Sequence, residues 1–227
     1  MHINYFTKEL EILNKRIFFS KEHKVMFLTT PKCGSQFIKL FCLLNFTKYT
    51  TDNNNVESKF RFWSNTNTIT LDDLNDPSIQ KFQIVRNPHK RFLSYITSNF
   101  DKFPENERKN LSSSYIKSVI NATLKTINEP HPDKLKLVGK TDKEDTYSQF
   151  YEHIFPQYSW LFSKYFTPIK LEKMDELLEQ NPDYFLPKKT SFKHHTKYQY
   201  GIEMDQEMKD KIYDLYAYDF IKLNYEK

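Results

Sequence analysis

Apolar positions along this chain fall into short runs and spaced faces, separated by stretches rich in Asn, Asp, Thr and Lys. Residues 24–30 (KVMFLTT) form a continuous apolar run with β-branched and aromatic members, ended by Pro31, the pattern of a buried strand. Beyond the loop, Phe37, Leu40, Phe41 and Leu44 recur at i, i+3, i+4 and i+7, which predicts a helix with one apolar face. Strand, tight loop and helix in that order is the opening of a nucleotide-binding α/β unit. Residues 81–86 (KFQIVR) repeat the strand signal, and Asn87-Pro88 opens another helix with proline at its favoured first position. Phe92, Tyr95, Ile96 and Asn99 continue the inner face of that helix.

Elsewhere the pattern is weaker. Residues 1–20 have the mixed charges of a short helix or arm, and 46–79, with Phe62 and Trp63 embedded, predict irregular structure with at most an edge strand. A polar loop at 101–110 precedes a helix over 111–127, and the proline-bearing stretch 128–143 is a surface loop. Aromatic residues crowd 146–163; then come a strand over 165–171, a helix over 172–180 and a basic loop at 187–200. A last helix runs from about 204 to 222, with Met208, Ile212, Leu215 and Tyr216 on one side. No repeat and no linker divides the chain, so a single α/β domain over residues 1–227 is expected.

Composition narrows the chemistry. The 20 Phe and 15 Tyr make rings the main core filler. A net charge of +5 suits a small anionic ligand or an acidic polymer but is too dispersed to argue for nucleic acid. Cys33 and Cys42 are the only cysteines, which excludes a disulfide framework, and Cys42 is expected in the core. The three glycines, Gly34, Gly139 and Gly201, cannot spell a Walker loop or a G-x-G-x-x-G fingerprint. No run is long and apolar enough for a signal peptide or a membrane span, and the chain begins at Met, so a complete cytoplasmic protein is expected.

Two strand-to-helix junctions carry candidate chemistry. In Pro31-Lys32-Cys33-Gly34-Ser35, a glycine admits close backbone approach, a serine adds a hydroxyl, and a lysine adds charge beside helix amides that bind anions. The alternative is an ordinary turn with a solvated lysine. In Val85-Arg86-Asn87-Pro88-His89-Lys90-Arg91-Phe92-Leu93-Ser94, an arginine ends a buried strand, and Ser94 returns to about the same side two helical turns later. Such a pair fits one phosphate; a structural ion pair is the alternative for Arg86. Arg91 suggests a surface salt bridge.

P-K-x-G-S after a strand, followed by V-R-N-P-x-x-R-x-x-S opening a helix, resembles the sulfotransferase superfamily that uses 3′-phosphoadenosine-5′-phosphosulfate (PAPS). The resemblance implies a P-loop-like three-layer sandwich, with a central, mostly parallel sheet flanked by helices. It also implies that Lys32, Cys33, Gly34, Ser35 and Gln36 line the phosphosulfate and that Arg86 and Ser94 bind the 3′-phosphate. Asn87 stands where Asp is common, and its expected job is to cap the helix. Residues 152–157 (EHIFPQ), 169–172 (IKLE) and 215–220 (LYAYDF) are similar to H-x-x-P-Q, K-L-E and L-Y-x-x-D-F segments of the carbohydrate branch of that superfamily. Golgi members of the branch carry a membrane anchor, and none is expected here, which points away from a Golgi role.

The resemblance implies a sulfuryl transfer to a hydroxyl, of a carbohydrate through the branch. Such a transfer needs positioning and charge neutralisation, supplied by Lys32, and a base for the acceptor. His153 titrates in the useful range and Glu152 is second choice; a hydrogen-bonded histidine in an aromatic cluster is the alternative. In related enzymes a basic loop before the last helix closes over the nucleotide, which implies roles for His195 and Lys197, although a solvated loop would look the same. His194 and His195 are a poor metal pair, and the chemistry calls for no metal. The competing functions are a nucleotide-dependent phosphotransferase, disfavoured by the missing Walker loop, and a catalytically silent glycan-binding module of the same fold.

Overall fold

The computed structural model describes residues 16–48, 55–100, 113–128, 156–158, 163–174, 176 and 204–227. They belong to two compact units, Met1–Arg86 with Ser159–His194, and Asn87–Tyr158 with His195–Lys227.

The first unit is built on a four-stranded sheet in the order β1 (Ile17–Ser20), β2 (Val25–Thr29), β3 (Gln80–Val85) and β4 (Thr167–Lys170). β1 pairs antiparallel with β2, whereas β2–β3 and β3–β4 are parallel, giving a mixed, mostly parallel sheet. Short connection decides the first pairing: only residues 21–24 separate β1 from β2, and a parallel return needs a far longer crossover. Residues 17–20 are therefore an edge strand and not the helix or arm predicted from their neighbours' mixed charges. Every residue of β2 is buried, as a strand covered on both faces requires.

Alternate side chains feed two cores. Phe18, Val25, Phe27, Ile84 and Ile169 meet helix α1 (Ser35–Phe46) and helix α2 (Val56–Thr66) on one face. Ile17, Phe19, Met26 and Leu28 meet Leu74 of the short helix α3 (Leu71–Asn75), with Ile69, Ile79 and Phe166, on the other. This layering of helices on both faces of a mostly parallel sheet is the expected α/β fold. Rings do fill the larger core: Phe27 packs on Phe41, Phe46 and Phe82 with centroids 5.9, 5.8 and 5.4 Å apart, while Phe18 stacks on Trp63 at 5.4 Å.

Two expectations need correction. Helix α1 is not amphipathic: residues 38–44 are all buried, Lys39 included, so it is a core helix. Segment 46–79 holds α2 and α3 instead of irregular structure. Its polar residues serve helix ends, since Thr70 Oγ1 accepts from the Asp73 amide while Asp73 Oδ2 accepts from the Thr70 amide. Val56, Phe60 and Ser64, spaced by four, form the buried stripe of α2.

The second unit joins helices α4 (Pro88–Phe100), α5 (Ser113–Asn128) and α6 (Gln206–Lys222). Phe92, Tyr95 and Ile96 of α4, Ile120 and Leu124 of α5, and Met208, Ile212, Tyr216 and Phe220 of α6 form its core. Asp205 caps α6 by accepting from the Met208 amide at 3.0 Å and pairs with Lys117 of α5 at 3.0 Å. Among the described residues no helix is long and apolar enough to cross a membrane.

Candidate functional site

Past β2, the Cys33 amide donates to Thr30 O at 3.2 Å and closes a turn over Pro31 and Lys32. Lys32 takes φ +64°, a left-handed conformation that costs a residue with a Cβ ~1–2 kcal/mol. Gly34 follows at φ +70° without that penalty, and its missing Cβ matters twice. A Cβ there would lie 2.9 Å from Leu171 Cδ1, so a side chain at this position would push the tip of that leucine aside. Cys33 points its thiol into the core, where it is fully buried.

Helix α1 then starts with Ile38 donating to Gly34 O at 3.0 Å. Among the described residues no side chain caps this N-terminus, and no acidic residue stands in its first turn. Its first amides and the positive end of its dipole are neutralised by nothing in the local sequence, which suits an anion. The end of the helix lies at the C-terminal edge of a central strand, where open α/β sheets bind ligands.

Neighbouring strands hold the loop in place. β2 and β3 pair with Thr29 opposite Ile84, which brings Arg86 alongside the turn, and Arg86 Nη1 donates to Lys32 O at 3.2 Å. Beneath, the buried Gln83 donates through Nε2 to Thr30 Oγ1 at 3.4 Å. β4 pairs Lys170 with Val85, which delivers Leu171 to Gly34. The I-K-L-E segment, matched only by resemblance in the sequence, thus supplies the wedge behind the glycine.

Ser35 and Gln36 are half-buried in the first turn of α1. Gln36 Nε2 donates to Glu57 Oε2 of α2 at 3.1 Å, and Lys39 Nζ donates to the same carboxylate at 2.7 and 2.9 Å. Partial burial alone would raise the Glu57 carboxyl, but the Lys39 hydrogen bond and charge, with Gln36 and Arg61, hold it below its usual value. This Gln36–Glu57–Lys39 group was hidden by the polar composition of segment 46–79; the four-residue spacing of Val56, Phe60 and Ser64 was the available signal.

At the second junction Asn87 is the cap that the sequence predicts. Its Oδ1 accepts from the Lys90 amide at 3.2 Å, and its carbonyl accepts from the Arg91 amide at 2.9 Å. Ser94 stands half-buried in α4, within the second unit, whereas Arg86 closes the first. Arg91 is no surface residue: at 2 % exposure it lies over the Tyr216 ring, 5.9 Å from its centre. Its i, i+4 relation to the buried Tyr95 was the missed sign.

Below it, the fully buried Asp219 accepts from the amides of Gln157 and Tyr158, each at 2.8 Å. Burial pushes the Asp219 carboxyl above its usual value, although the two amides and the Arg91 charge pull it back. Burial likewise raises the Tyr216 hydroxyl. Two segments that carry the family resemblance, P-Q and L-Y-x-x-D-F, therefore meet in one hydrogen-bonded group. His89, with a ring nitrogen 3.1 Å from Lys209 O and its ring against Phe220, is held below its ordinary pKa by burial.

Glu152, His153, His195 and Lys197 lie outside the described residues. Among the described ones, no group of three or more His, Cys, Asp or Glu is placed to hold a metal ion.

Comparison with curated proteins and with solved structures found no match in either case. The model of the sulfotransferase family, in contrast, matches residues 15–226, a span that takes in both junctions and the Asp219 group. The chain belongs to the sulfotransferase family.

Proposed function

We propose that this chain transfers a sulfuryl group from PAPS to a hydroxyl, that of a carbohydrate. The observation that carries the reading is the start of α1: an uncapped, acid-free helix N-terminus entered through Lys32 and Gly34 at the end of a central strand. Family membership supports sulfuryl transfer. The nucleotide donor is supported by the absence of a Walker loop and by the second motif, Arg86 to Ser94, which a donor with a separate 3′-phosphate would require. The carbohydrate rests on the resemblance of the three downstream segments.

In this reading the acceptor oxygen bonds to sulfur as the bond from sulfur to the bridging phosphate oxygen breaks. The acceptor proton passes to a base, His153 by its titration range and Glu152 in second place. Lys32 and the α1 amides stabilise charge developing on the leaving phosphate, while Ser35 and Gln36 orient it. Arg86 and Ser94 take the 3′-phosphate, and His195 and Lys197 the rest of the nucleotide.

The test has two stages. 3′-Phosphoadenosine-5′-phosphate should stabilise the protein thermally and ATP should not. Radiolabelled sulfate from PAPS should then appear on a member of a panel of glycans, alcohols and phenols. Stabilisation by ATP with phosphate transfer would replace the reading by a phosphotransferase. Glycan binding without any transfer would replace it by a silent module.

A further inference from the structure

We infer that Arg86 is a positioning residue for the Lys32 loop, in addition to any contact it makes with a nucleotide. Resting on the sulfotransferase reading above, the inference makes one side chain couple two phosphate subsites.

Three observations within the first unit carry it. Lys32 is held in left-handed backbone, which a lysine does not adopt without support from its surroundings. The Arg86 guanidinium donates to the carbonyl of that very residue, at 3.2 Å. The parallel register of β2 and β3 fixes where Arg86 leaves the sheet, so the prop follows directly on the buried end of β3. Leu171 holds the other end of the loop at Gly34, but its contact is apolar and lies two residues away from Lys32. Arg86 gives the Lys32 peptide a polar, charge-assisted restraint, and a planar fork can donate to a backbone carbonyl and to an anion in the same plane. Anion binding at Arg86 would then tighten the Lys32 turn, and a seated turn would preorganise Arg86.

Two cysteines make the loop readable without turnover. Cys33 follows Lys32 directly and Cys42 sits in the middle of α1; both are fully buried thiols outside any disulfide. Loosening the loop should expose Cys33 alone, whereas general unfolding exposes both. In the ligand-free protein, Arg86→Ala should raise the alkylation rate of Cys33 about tenfold relative to Cys42, resolved by peptide mass spectrometry. Arg86→Lys, which retains one donor, should raise it less. An unchanged ratio in Arg86→Ala overturns the inference. Should Arg86→Ala unfold the chain, both rates climb together and Arg86→Lys decides: a raised Cys33:Cys42 ratio supports the prop, and an unchanged one removes it.

A second readout separates this role from simple 3′-phosphate contact. A pure contact predicts that Arg86→Ala weakens 3′-phosphoadenosine-5′-phosphate but leaves AMP, which has only the 5′-phosphate, unaffected. A prop predicts that AMP binding weakens too, by several-fold; unchanged AMP affinity counts against it. If neither nucleotide binds the unaltered protein, the donor reading fails while the cysteine ratio still judges the prop.

Discussion

The two strand-to-helix junctions differ in what finishes the helix. At the first, α1 begins without a side-chain cap and without an acid, behind a loop in which Lys32 and Gly34 are both left-handed. At the second, Asn87 Oδ1 already occupies the Lys90 amide and proline removes another donor, so α4 is closed by its own sequence. The first helix end therefore offers uncapped backbone donors to a ligand, whereas at the second proline and the Asn87 cap have already removed two of them. In the proposed function, the 5′-phosphosulfate of the donor would meet helix amides with Lys32, and its 3′-phosphate a side chain, Arg86.

The largest effect should come from the charge at the open end. Lys32→Ala is expected to lower sulfate transfer by about a hundred- to a thousandfold with an unchanged denaturation midpoint. Lys90→Ala, an exposed lysine near the closed end, should stay within twofold. Comparable losses in both would mean that overall positive charge matters and that the open end has no special role. Retained turnover in Lys32→Ala would take Lys32 out of the mechanism.

Strands β2 and β3, the cap at Asn87 and the Pro31–Ser35 loop were legible because each rests on local pattern: an apolar run, a cap residue, a glycine. What holds the loop was not legible. Leu171 reaches Gly34 only because β4 pairs with β3, and the Arg86 hydrogen bond to Lys32 depends on the register between β2 and β3. Pairings between distant segments leave no local periodicity. Arg91 shows the opposite failure: a charged residue was assigned to the surface by type, although its place on the inner face of α4 buries it. Helix α2 was missed because Asn, Ser and Thr outweigh its sparse apolar stripe in composition but not in packing.

The Asp219 group should give the next largest effect, on stability. Asp219→Ala takes the carboxylate acceptor from the Gln157 and Tyr158 amides and the negative charge from beside Arg91, a loss of about 3 kcal/mol by urea denaturation. The pH dependence has a definite sign. Because burial raises the folded-state pKa of Asp219, its contribution favours folding below the ordinary carboxylate value and fades as pH rises through the raised one. Asp219→Asn should abolish that part of the slope; an unaltered slope would mean that Asp219 does not titrate abnormally.

Gly34→Ala should cost about 1–2 kcal/mol, for a Cβ at φ +70° and the crowding of Leu171. Combining it with Leu171→Ala should cost less than the sum of the two, because the second change removes the clash. Full additivity would show that backbone strain alone penalises the alanine.

The smallest effect tests the closed end itself. Asn87→Ala should lose about 1 kcal/mol of stability through the missing cap, with donor affinity unchanged within twofold. Asn87→Asp is the sharper experiment, because a carboxylate caps as well as an amide while adding negative charge beside the α4 N-terminus. If the helix end took part in holding a phosphate, that charge would repel the ligand and weaken donor binding by several-fold. If Asn87 only closes the helix, stability should hold or rise slightly and donor affinity should not move. The second outcome is expected, since the Lys90 amide is already taken and the resemblance places Asp at this position in related chains. A drop in affinity with Asn87→Asp would make both helix ends ligand-bearing and dissolve the distinction between them.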